Sequence, residues 1–146
     1  MRLPSKTVLN SQLTAQLGRP VIMLEVVPVV PDETLRITFR SRSGNWRQGI
    51  WIAVDGELEV AGQRASQLEI WTDTAPPASD VKVVRTTDGL LRLYNIWDSG
   101  RGQRRESQSA TSGMLKETAD RTTTYRCNDI GTLPKFDKLV FEVRRG

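Results

Sequence analysis

From Val21 onward, short apolar runs recur about every ten residues, each closed by Gly, Pro, Asp or Asn. Thr34–Arg40 shows the pattern most cleanly. Leu35, Ile37 and Phe39 fall on one face and Arg36, Thr38 and Arg40 on the other. A two-residue period is what a half-buried strand requires, because successive side chains point to opposite faces of a sheet. Lys138–Arg144 repeats the pattern with Leu139, Phe141 and Val143 inward. Val21–Val27 is apolar on both faces, as in a central strand, and Pro28, Pro31 and Asp32 close it.

The same rule assigns strands at Gln48–Val54, Leu58–Ala61, Leu68–Thr72, Val81–Thr86, Leu90–Trp97, Ser109–Glu117 and Thr122–Cys127. Asp55-Gly56 and Thr87-Asp88-Gly89 read as hairpin turns, because Asp-Gly tolerates positive φ. Further turns are placed at 62–66 and at Ala119-Asp120, and loops at 41–45 and 129–134. One helical signal is present, Thr7–Leu17. Its apolar residues are Leu13, Leu17 and Val8 or Leu9, and Gly18 and Pro20 stop it. About nine or ten short strands without long helices define an all-β fold. The form expected is an antiparallel two-sheet β-sandwich of jelly-roll type with a short N-terminal arm or helix. The 146 residues suit a single β-sandwich domain, 1–146. Its core is expected to hold Leu24, Leu35, Ile37, Phe39, Ile52, Ile70, Val83, Leu91, Leu93, Leu139, Phe141 and Val143.

Composition removes much chemistry. There is no histidine and a single cysteine, Cys127. Ser-His-Asp and Cys-His catalysis, histidine zinc sites and intramolecular disulfides are therefore excluded. No cofactor and no metal site is expected. The net charge of +4 lies wholly in residues 74–146, with thirteen basic and nine acidic side chains against eight of each in residues 1–73. This bias permits an anionic partner, but it lacks the dense Lys/Arg stripe of a nucleic-acid binder. MRLPSKTVLNSQLTAQLG has no continuous apolar core of the signal-peptide kind, and Val21–Val30 is too short to span a bilayer. A soluble, cytoplasmic chain without a membrane partner is the expectation.

Leu90–Glu117 carries the candidate site. Between its two strands, Asp98–Gln108 makes an eleven-residue connection, longer than a usual hairpin loop. Gly100 and Gly102 permit backbone amides to converge on an anion, and Arg101, Arg104 and Arg105 supply forked donors for carboxylate or phosphate. Tyr94 and Trp97 stand at the strand end as stacking surfaces, with Asp98 at the loop's start. Tyr94, Trp97, Asp98, Arg101, Arg104 and Arg105 define a ligand-binding site for an anionic or glycan-like group. The function expected is a non-catalytic binding or interaction module.

Two alternatives belong to other classes. One is a structural protein acting through a homo-oligomer, with Trp46, Trp51 and Trp71 on a contact face. The other is a histidine-free hydrolase using a carboxylate pair such as Asp98 and Glu106. Asp55, Glu57 and Glu59 offer oxygens to a hard cation, but without calcium-loop spacing.

Overall fold

The computed structural model of the chain describes residues 3–100, 102, 104–130 and 135–145. Among them are nine strands and one short helix. In chain order these are β1 (Val8–Leu9), α1 (Ser11–Leu17), β2 (Ile22–Pro28), β3 (Thr34–Arg42), β4 (Arg47–Val60), β5 (Gln63–Trp71), β6 (Ala78–Asp98), β7 (Gly113–Ala119), β8 (Thr122–Asn128) and β9 (Leu139–Arg145). No helix among the described residues is long and apolar enough to cross a membrane.

All pairings are antiparallel, in the order β1-β2-β7-β8-β9-β3-β6-β4-β5. An additional pairing of β2 with β6 closes the ring β2-β7-β8-β9-β3-β6. The expected jelly-roll sandwich is thus replaced by a six-stranded barrel, with β4 and β5 continuing the sheet beyond β6 and β1 on the far side of β2.

The reason lies in two Asp-Gly sites that do not turn the chain back. At Asp55-Gly56 strand β4 continues, with its register shifted between Val54 and Gly56. At Thr87-Asp88-Gly89 strand β6 likewise runs on. Val54 pairs with Leu91 and Gly56 with Thr86, so residues 87–90 bulge out opposite Asp55. The bulge is held locally: Gly89 N donates to Thr86 Oγ1 at 2.9 Å and Leu90 N to Asp88 Oδ1 at 3.1 Å. Bulges bend and twist a strand. Beyond this one, β6 leaves β3 and pairs with β2 through Glu25–Pro28, which seals the barrel. At Gly56 (φ 155°) a Cβ would fall on the Arg85 carbonyl, so the two strands approach too closely there for any side chain.

The β4–β5 turn sits at Ala61-Gly62 (φ 51° and 80°), earlier than expected, so β5 starts at Gln63. The β7–β8 turn is near its predicted place, with Ala119 paired to Thr122 and Asp120 at φ 57°. β7 begins at Gly113 rather than Ser109. The residues before it form a turn pinned by Asn10, whose Nδ2 donates to the carbonyls of Ala110 and Ser112 at 3.0 and 2.9 Å. Asn10 also caps the helix, its Oδ1 accepting from Leu13 N at 3.1 Å, and Gly18 ends it in the left-handed conformation.

The main core contains every expected residue except Phe39, which is partly buried against it. A smaller cluster of Leu13, Val21 and Phe136 lies under the helix side. Strand β6 is buried on both faces from Leu91 to Trp97, including Arg92. Arg92 is satisfied by the Pro4 carbonyl (2.7 Å), the Leu90 carbonyl (3.0 Å) and Asp88 (2.8 Å). Glu25, which interrupts the apolar run of β2, is also buried. It accepts from Thr7 Oγ1 (2.7 Å) and Tyr125 OH (3.0 Å) and pairs with Lys116 at 3.0 Å.

Candidate functional site

The 98–108 connection is shorter in space than in sequence. Trp97 and Glu106 exchange backbone hydrogen bonds of 3.1 and 2.7 Å, which closes the loop at its base. The Glu106 side chain is buried and turned back into the loop, where Oε2 accepts from Ser99 N at 2.8 Å and from Ser99 Oγ. Asp98 Oδ1 accepts from Gly100 N at 2.9 Å. The backbone donors of Ser99 and Gly100 are therefore used by the loop's own carboxylates.

The predicted residues that the structure describes divide into three groups. Tyr94 and Trp97 are 8% and 1% exposed, so neither offers a stacking face to a ligand. Tyr94 stacks on Trp51 instead, with ring centroids 4.6 Å apart. Asp98 and Arg105 are tied down. Asp98 caps Gly100, and Arg105 reaches Glu69 of β5 at 3.0 Å. Arg104 is exposed, at φ 60°, and makes no ion pair among the described residues. Arg101 lies outside the described residues.

The other candidates resolve differently. Trp51 and Trp71 are buried on the β4–β5 face. Their indole N–H groups donate to Gln67 at 2.9 Å and to Glu69 at 3.1 Å, and the Arg47 guanidinium lies 4.3 Å above the Trp71 ring. Trp46 alone of the four tryptophans remains half-buried rather than buried. Asp98 and Glu106, proposed above as a hydrolytic pair, both serve as hydrogen-bond acceptors for the loop backbone. Asp55 accepts from Thr87 Oγ1 at 2.6 Å, while Glu57 and Glu59 share Arg64. Among the described residues no group of three or more His, Cys, Asp or Glu is placed to hold a metal ion.

A polar layer also lies at this end of the barrel, and sequence reasoning did not identify it. Gln48, Asn95, Asn128 and Asp129 are each at most 3% exposed. Asn95 Nδ2 donates to the Asn128 carbonyl at 3.1 Å, and Gln48 Nε2 to Asp129 Oδ2 at 2.9 Å. Two buried atoms of this layer, Gln48 Oε1 and Trp97 Nε1, have no hydrogen-bond partner in the protein. They belong to residues paired across β4 and β6. Burial raises the Asp129 carboxyl above its ordinary range, against the opposing donation from Gln48 and the charge of Lys138. A lone Gln or Asp carries no periodic signal. Only the meeting of β4, β6 and the segment after β8 brings these groups together.

No family model, no curated protein and no solved structure matches the chain.

Proposed function

We propose that the protein is a non-catalytic binding module whose contact surface is the 98–106 loop, and that it engages an anionic group through arginine side chains. Arg104 carries the reading. It is a non-glycine residue held at φ 60° at the surface, on a loop whose neighbouring backbone donors are already satisfied. A side chain kept in that region costs on the order of 1 kcal/mol relative to glycine, and such outliers gather where function retains them. The closure of the loop's base at Trp97 and Glu106, with Ser99 and Gly100 held by carboxylates, lowers the entropy lost there on binding. Tyr94, Trp97 and Asp98 act in this reading as supports for the loop, and Arg105 is its tether to β5. The lone thiol, buried at Cys127, suits the cytoplasmic setting proposed for the chain.

Arg104→Gly tests the proposal, because it keeps the backbone conformation and removes the guanidinium. Calorimetric titration with inorganic phosphate, a sulfated oligosaccharide and a uronate oligosaccharide should show binding to the unmodified chain. Affinity should fall at least about tenfold in the variant, while stability stays equal or rises by a few tenths of a kcal/mol. Arg101, Arg104 and Arg105 replaced together by Ala should abolish binding; unchanged affinity would sink the idea.

A second reading, assembly with another copy, is supported by the exposed apolar side chains of Val8, Leu9 and Leu17 beside the short strand β1. Light scattering that shows a strict monomer on dilution would count against it.

A further inference from the structure

We propose that the cleft between the β3–β4 turn and the segment entering β9 is a second binding site, shaped for the vicinal hydroxyls of a sugar ring. The cleft has a volume of 150 Å³ and is lined by Ser43, Asn45, Trp46, Gln48, Asp129 and Lys138, among others. Its two walls are joined by the backbone, with Ser43 N donating to the Lys138 carbonyl at 3.1 Å and Lys138 N to the Cys127 carbonyl at 3.0 Å.

Gln48 is the feature that calls for a ligand. Its residue is 1% exposed, and its Nε2 is committed to Asp129 Oδ2 at 2.9 Å. The reversed amide would set oxygen against a carboxylate, so Oε1 must be the atom directed away from Asp129. That oxygen has no partner in the protein. A buried carbonyl left unpaired costs about 1–3 kcal/mol, and a donor arriving from the cleft would relieve it. Asp129 beside it is a second buried acceptor, and its desolvated carboxyl also gains from a donor.

The class of donor follows from the lining. One carboxylate and one ammonium, Asp129 and Lys138, leave the cleft without net charge. A cation would gain at Asp129 and lose at Lys138, and an anion the reverse. A hydroxyl suits both, since it donates to the Gln48 and Asp129 oxygens and accepts from Lys138. The half-buried indole of Trp46 supplies an apolar face for the C–H groups of a ring. Pockets that enclose a whole drug-sized ligand run to about 300–1,000 Å³, so this cleft suits the edge of one ring rather than a whole oligosaccharide.

The site stands independently of the loop reading, and one experiment separates them. Methyl glycosides of glucose, mannose and galactose are titrated into the ¹⁵N-labelled full chain, alongside methylammonium, inorganic phosphate and a tetrahydropyran lacking hydroxyls. The expected result is a saturable shift of the Trp46 indole N–H and Gln48 amide signals with at least one glycoside and none with the other probes. Gln48→Met and Asp129→Asn should each weaken it at least about tenfold, while Arg104→Gly leaves it unchanged. No saturable shift with any glycoside on the unmodified chain would overturn the site, whatever the variants do. Saturation by methylammonium, phosphate or the hydroxyl-free ring instead would overturn its ligand class. An equal shift in both Gln48→Met and Asp129→Asn would overturn the assigned acceptors.

Discussion

Arg92 and Gln48 stand on neighbouring strands and meet burial in opposite ways. Arg92 is 1% exposed, and two carbonyls and Asp88 accept from its guanidinium. Gln48 is buried as deeply but has only its amide nitrogen satisfied. Asp129, its partner, titrates in a sense that can be predicted. Burial raises its folded pKa above the unfolded value, so the folded chain binds this proton more tightly than the unfolded chain does. Its contribution to stability is therefore most favourable in acid and declines as pH rises through the raised pKa. Asp129→Asn keeps an acceptor for Gln48 and removes the titration. The variant should match or exceed the parent in stability at neutral pH, and its advantage should shrink towards about pH 3.5. Urea unfolding at several pH values checks this, and an advantage that grows in acid would contradict it.

At the scale of elements, the bulges decide more than the turns. An Asp-Gly pair predicts a reversal of the chain, because it is a strong local hairpin signal. At Gly56 the demand is a close approach to the Arg85 backbone inside a continuous strand. Gly56→Ala should destabilise the fold by on the order of 3 kcal/mol, through steric overlap and backbone strain. Thermal or urea unfolding reads the loss, and a neutral substitution would show that the strands there separate freely. The 98–106 loop has two kinds of attachment, and they should separate experimentally. Arg105 and Glu69 form an exposed pair, worth less than about 1 kcal/mol. Glu106 is buried and holds Ser99. Arg105→Ala should leave stability nearly unchanged while speeding amide exchange within the loop. Glu106→Ala should lower stability by about 1 kcal/mol, by leaving the half-buried Ser99 donors unmet. Equal effects of the two would remove the distinction between tether and clasp.

For the whole molecule, closure through β2 and β6 joins the first third of the chain to its middle, and β3 with β9 joins that third to its end. One core runs through the barrel and continues beneath β4 and β5. Denaturation should therefore appear as a single transition, coincident by far-ultraviolet circular dichroism and by tryptophan fluorescence. Trp51, Trp71 and Trp97 report on β4–β6 and the ellipticity on every strand, so a separate fluorescence transition would show that the β4–β5 extension melts alone. Pairings so distant in sequence also place refolding on the millisecond-to-second scale rather than faster.

What the sequence by itself determined was local. Alternation marked most strands, as at Leu35-Ile37-Phe39, because a two-residue period reflects one buried face. Gly18 stopped the helix as expected, and the absence of histidine restricted the chemistry before any fold was known. The positions of most core residues followed from the same period. Tertiary structure decided the rest. A bulge and a hairpin turn share the same Asp-Gly signature, so only the β6 pairing with β2 distinguished a barrel from a sandwich. Tyr94 and Trp97 read as ligand-stacking residues until β6 proved to be covered on both faces. Gln48 and Asp129 stand far apart in the chain and make a site only where β4 meets the end of β8. Local patterning follows from short-range sterics and burial, but a site depends on which distant strands share an end of the barrel, and hydrophobic alternation does not encode that.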